Sequence, residues 1–131
     1  GYFGEGGMTT AVDPVRGFDT RTGSGTTAGA MRHGETRTIR IAGVEGVPEG
    51  ATGAHVNITI VSPTSGGYLS VWPTGAEQPT VSNLNWRAGE VVPNMAIVGL
   101  GPDGTLQVYL STGNDTSGSG HVLVDVLGWI D

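Results

Sequence analysis

Cysteine is absent from this 131-residue chain, and so is lysine. Without cysteine there is no disulfide framework and no thiolate metal site. The fold must therefore hold by burial alone, and a chain of this length buries roughly two-thirds of its unfolded surface. Without lysine, all fixed positive charge rests on six Arg, outnumbered by 12 Asp and Glu for a formal net charge of −6. The arginines are scattered from Arg16 to Arg87 and form no basic stripe. A negative chain repels phosphate backbones and anionic bilayers, so no nucleic acid is expected as a partner. No apolar run approaches the roughly 20 residues of a membrane span, so no membrane insertion is expected either.

Catalytic signatures are missing as well. His33, His55 and His121 lie far apart, with no His-x-His or His-Glu-x-x-His spacing for a metal. No Gly-x-Ser-x-Gly elbow is present. The expectation is a non-enzyme with no catalytic residues, no metal and no cofactor. Asp125, inside an apolar strand, is the best candidate for a buried acid, and a partnership with one of the arginines is its simplest explanation.

What the sequence has in abundance is glycine, 24 residues of it, placed between segments that alternate with period two. In 36–42, Ile39 and Ile41 share one side. In 55–61, Val56, Ile58 and Ile60 oppose Asn57 and Thr59. In 68–72, Leu69 and Val71 turn one way and Tyr68, Ser70 and Trp72 the other. Leu106, Val108 and Leu110 likewise oppose Thr105, Gln107 and Tyr109. In 121–130, Val122, Val124 and Val126 oppose Leu123, Asp125 and Leu127. The stretch 91–100 is more apolar throughout, as in a strand covered on both faces. Residues 112–120, all small and polar apart from glycine, read as a mobile hairpin tip, and 17–34, without periodicity, as a loop laid across a sheet. Short strands separated by Gly/Pro turns predict an all-β fold, an antiparallel β-sandwich or a barrel-like relative of one.

A shift of 37 residues aligns 57–72 with 94–109 without gaps, and six of the 16 positions are identical. Asn57/Asn94, Leu69/Leu106 and Val71/Val108 are among them. Each copy reads strand, Pro/Gly turn, strand, which predicts two pseudo-repeated hairpins packed with pseudo-symmetry. A second echo joins Gly1-Tyr2-Phe3 to Gly128-Trp129-Ile130. It suggests tandem copies, with 1–11 as the linker or tail of a preceding repeat and 12–131 as one β-sandwich domain. The first residue is Gly rather than Met, as expected for a fragment or a processed product.

Several motifs occur in a familiar order: Asp13-Pro14-Val15-Arg16-Gly17-Phe18-Asp19-Thr20-Arg21-Thr22-Gly23, then Ser82-Asn83-Leu84-Asn85-Trp86, Val92-Pro93-Asn94, and the closing Asp125-Val126-Leu127-Gly128-Trp129. Together they resemble a domain repeated in large secreted and cell-surface proteins of actinobacteria, over nearly the whole chain. The resemblance implies an extracellular or cell-surface location and modular use, in tandem or beside other extracellular domains. It implies little chemistry, because that family's function is poorly defined. Trp129 stands where the family often has Tyr.

Two groups of residues stand out as sites. Asp13, Arg16, Asp19 and Arg21 form the densest charge cluster. Two acids beside two arginines fall short of calcium's six or more oxygens, so an ion-pair network pinning a loop is expected. The second group is the face carrying Tyr68, Ser70, Trp72, Thr105, Gln107 and Tyr109. Flat apolar rings interspersed with neutral donors and acceptors suit a sugar's C–H faces and hydroxyls. The expected function is thus a non-catalytic extracellular module attaching its parent protein to polysaccharide or cell-wall glycan. The alternative is a structural spacer repeat in a surface stalk, fibre or adhesin, contacting neighbouring domains of the same chain.

Overall fold

The computed structural model describes residues 9–131. The echo at Gly1-Tyr2-Phe3 lies outside them. Nine strands follow in order: β1 (Thr9–Asp19), β2 (Met31–Arg32), β3 (Thr36–Arg40), β4 (Gly53–Val61), β5 (Gly67–Pro73), β6 (Leu84–Trp86), β7 (Val92–Gly99), β8 (Thr105–Ser111) and β9 (Ser119–Ile130). They form two antiparallel sheets. One runs β1-β9-β4-β7, with the short β2 also against β9; the other runs β3-β8-β5-β6. The sheets pack face to face as a sandwich, as the alternating pattern predicts.

Between them lie the inward sets read from the sequence. Ile39, Ile58, Ile60, Leu69, Val108, Leu110, Val122 and Val126 are all fully buried, each worth about 1.5–3 kcal/mol over leaving it exposed. Two large residues join them, Phe18 from β1 and Met31 from β2. The aperiodic stretch therefore contains more structure than its sequence suggests. Residues 17–19 finish β1, and Thr9–Ala11, expected in a linker, pair with Ile130–Gly128.

The internal repeat is real in space but is not made of hairpins. β4 and β5 do not pair with each other, nor do β7 and β8. Each copy is an arch that leaves one sheet and enters the other. The copies instead pair with one another, β4 with β7 and β5 with β8. Val71 and Val108, equivalent in the repeat, sit directly opposite.

The equivalence keeps its faces in only one sheet. Leu69 and Leu106 both point into the core, but Ile58 and Ile60 are fully buried while their counterparts Met95 and Ile97 are 57% and 61% exposed. In β7 it is Ala96 and Val98 that face the core. An offset of one residue turns every side chain over, so this half of the ungapped alignment matches composition rather than face. β7 is also the outer strand of its sheet. It is not covered on both faces, and Val91, Pro93, Met95 and Ile97 present an apolar stripe to solvent.

Thr9, Ile130, Gly53 and Gly99 line up at one end of their sheet. Thr9 faces Ile130, Ile130 faces Gly53, and Gly53 faces Gly99. The opposite end carries the start of β9, the turn between β4 and β5, and residues 112–118.

Candidate functional site

The outer face of the β3-β8-β5-β6 sheet carries the sequence-derived aromatic set. In register across β5 and β8, Tyr68 faces Ser111, Ser70 faces Tyr109, and Trp72 faces Gln107. On the far side of β8, Thr36 faces Tyr109, Thr38 faces Gln107 and Arg40 faces Thr105. All six expected residues thus belong to one face, but not all of them reach solvent.

Tyr68 and Tyr109 do. Both are half-buried, with ring centroids 6.2 Å apart and planes inclined at 49°. Neither hydroxyl is bonded within the described residues, and no buried side-chain polar atom lacks a partner, so both hydroxyls open to solvent. Ser70 is 1% exposed, and Trp72, at 9% exposed, lies outside the inter-sheet core. The chain after β5 returns across this face: Ser70 Oγ donates to the Val81 carbonyl at 3.1 Å, and Asn83 Oδ1 accepts from the Val71 amide at 2.9 Å. An alternating pattern shows which way a side chain points but not which loop then covers it. The three-ring platform expected from sequence is therefore a two-ring one.

Beside the rings runs a neutral polar strip. Thr38 Oγ1 donates to Gln107 Oε1 at 3.1 Å, Gln107 Nε2 to Thr74 Oγ1 at 3.2 Å, and Thr105 Oγ1 to Thr74 Oγ1 at 2.7 Å. Formal charge enters this strip only at its end, where Arg40 pairs with Glu49 at 3.0 Å.

The charge cluster resolves into a network around Asp19, whose side chain is 4% exposed. Arg21 grips it with Nε and Nη2 at 3.1 Å each and with its backbone amide at 2.9 Å. Arg16 donates to it at 3.0 Å and also holds Asp125 on the neighbouring strand. The Arg21 hydrogen bonds, outweighing burial, hold the Asp19 carboxyl below the ordinary carboxylate range. Arg16 is pushed up, chiefly by its bond to Asp125. Asp13 takes no part: it is exposed, on the bulged stretch of β1. The network ties the end of β1 and Arg21 to Asp125 of β9.

Sequence reasoning passed over Arg37. Its side chain is 15% exposed and binds Glu35, Thr26 Oγ1 and the carbonyls of Thr27 and Gly29. It fastens the loop 20–30 to β3. The signal was in the alternation itself, for Arg37 has the parity of inward-facing Ile39 and Ile41. Among the described residues no group of three or more His, Asp or Glu could hold a metal ion.

No family model matches the chain, and no curated protein is similar to it. Among solved structures, the coat protein of Tobacco streak virus is similar at a TM-score of 0.42 and 10% identity, over 95% of this chain and 89% of that one.

Proposed function

We propose that this domain is a non-catalytic extracellular module whose tyrosine face holds a neutral glycan strand and so attaches its parent protein to polysaccharide or cell wall. One observation carries the reading: two half-buried tyrosines 6.2 Å apart, their hydroxyls open to solvent, beside an uncharged hydroxyl and amide strip. Aromatic faces stack on sugar C–H groups, and the surrounding neutral donors and acceptors meet hydroxyls. The 49° inclination suits a twisted single strand better than a flat crystalline surface. The actinobacterial resemblance supports the extracellular location.

Tyr68, at the start of β5, and Tyr109, near the end of β8, lie toward the end of the sandwich opposite the Thr9–Ile130 pair.

The test is retention on a panel of insoluble and soluble polysaccharides. Tyr68→Ala with Tyr109→Ala should abolish retention, while Tyr68→Phe with Tyr109→Phe, which keeps the rings, should preserve most of it. Circular dichroism checks that both variants fold. Unchanged retention in a folded double-alanine protein would falsify the reading. Trp72→Ala is a poor probe, because emptying a buried indole site costs about 3–5 kcal/mol of stability by itself.

A further inference from the structure

A separate cavity of about 320 Å³ opens at the end away from the Thr9–Ile130 pair, lined by Arg32, Thr116, Ser117, Gly118 and Ser119. Its walls are built rather than incidental. β2 sets Arg32 against Ser119 of β9. The segment 112–118, expected to be a mobile tip, is tied down from within. Asp115 accepts from the Ser65 hydroxyl and from the hydroxyl and amide of Ser117, at 2.7 and 3.1 Å. Those bonds, led by the one from Ser65, hold its carboxyl below the ordinary range. Thr112 Oγ1 donates to the Asp115 carbonyl, and Gly118 packs so closely on Thr112 that a Cβ there would collide with it.

The acids near this cavity accept hydrogen bonds from other groups, whereas the Arg32 guanidinium donates to none of them, although its charge acts on Glu35. Glu35 accepts from Arg37 at 2.6 Å and from the backbone amide of Arg32 at 2.9 Å. Burial raises its carboxyl, but these bonds outweigh burial and hold it low. Arg16, Arg21, Arg37 and Arg40 each have an acidic partner. The Arg32 guanidinium has no ion pair or hydrogen bond among the described residues, and the Thr116 and Ser119 hydroxyls donate to none of them. Three donors without a protein partner among the described residues thus border one open cavity, Arg32 and Thr116 being exposed to solvent.

We infer that this cavity binds a single carboxylate carried on a sugar, with the Arg32 guanidinium taking the carboxylate and Thr116 and Ser119 the neighbouring ring hydroxyls. A guanidinium fork matches a carboxylate bidentately. The volume exceeds a bare carboxylate and lies at the small end of ligand sites, roughly 300 Å³ upward. The lining offers hydroxyls and backbone but no aliphatic side chain, which suits a saccharide rather than an apolar peptide end. The net charge of −6 disfavours polyanions and dianions more than a single negative group. The saccharide carrier rests on the proposed attachment function; the carboxylate rests on Arg32 alone.

Titration of the domain with sodium D-glucuronate, D-glucose and sodium acetate, followed by ¹H–¹⁵N NMR at low salt, tests this. Glucuronate should saturate shifts at Arg32 Nε–H, Thr116 and Gly118, binding about tenfold more tightly than glucose or acetate. Arg32→Gln, whose side chain bonds nothing in the protein, should lose that preference without a change in melting temperature. Equal affinity for glucuronate and glucose, equal affinity for glucuronate and acetate, or an unaltered Arg32→Gln protein each overturns the inference. The Tyr68→Ala, Tyr109→Ala protein separates the two readings: if it alone loses polysaccharide and still prefers glucuronate, both sites stand apart. If the wild type holds no polysaccharide yet prefers glucuronate, only the tyrosine-face reading falls.

Discussion

Asp19→Asn removes one negative charge from the centre of the β1 network while keeping the side chain's size. The wild-type carboxylate accepts four hydrogen bonds, one from Arg16 and three from Arg21. Loss of a buried charge's hydrogen bonds costs about 1.5–3 kcal/mol. Breaking a fully buried ion pair costs about 3–5 kcal/mol, but here the arginines are 40% and 44% exposed and water takes up much of their loss. A figure of about 2 kcal/mol follows, or about 8 °C in melting temperature for a domain of this size. The pH dependence adds a second signature. Asp19's carboxyl is depressed in the folded state, so its stabilisation is fully present above the unfolded value of about 3.9 and is lost as pH falls through the folded value. Urea unfolding of both proteins from pH 7 to pH 2 measures both effects. The wild type should lose stability below about pH 4, and Asp19→Asn should be weaker at pH 7 with a flatter acid limb. A difference under about 0.5 kcal/mol at pH 7, together with superimposable acid limbs, would refute the assignment of Asp19 as the anchor.

Two further substitutions probe the fold and its surface. Gly104 sits at φ +73° with the space of its missing Cβ filled by the Ala42 methyl, so Gly104→Ala should cost about 3 kcal/mol or more, read by thermal unfolding. Met95→Ser with Ile97→Thr should leave stability within about 0.5 kcal/mol per site, because both residues are more than half exposed. The same pair should reduce binding to a hydrophobic-interaction resin, the expected consequence of removing an exposed apolar stripe; unchanged retention there would show that the stripe is not the dominant apolar surface.

The alternation of the sequence foretold the sandwich because one face of each strand is buried, and burial writes itself into every second residue. Ile39, Val56, Leu69, Val108 and Val124 all lie where their parity puts them. What parity does not carry is pairing. Arch and hairpin have the same strand-turn-strand sequence, and only the sheet to which the second strand goes distinguishes them. Nor does parity reveal covers. Trp72 alternates outward correctly and is nonetheless only 9% exposed, on the face across which the chain after β5 returns. β1 escaped notice because Asp13, Pro14 and Arg16 break its pattern where its register shifts between Ala11 and Val15. Asp19 was legible as a charge cluster, whereas Arg32 gave no signal at all: its significance is that the acids around it are already engaged, a property of three dimensions.

Pro93 gives β7 a further property. An outermost strand with apolar Val91, Met95 and Ile97 on its open side would ordinarily offer a continuous row of amides for a stray chain to zip onto. Proline has no amide hydrogen to contribute, so the row is interrupted at Pro93, near the start of the strand. The stripe can rest against another surface, but the seeding of fibrils along this margin meets a gap at its second residue.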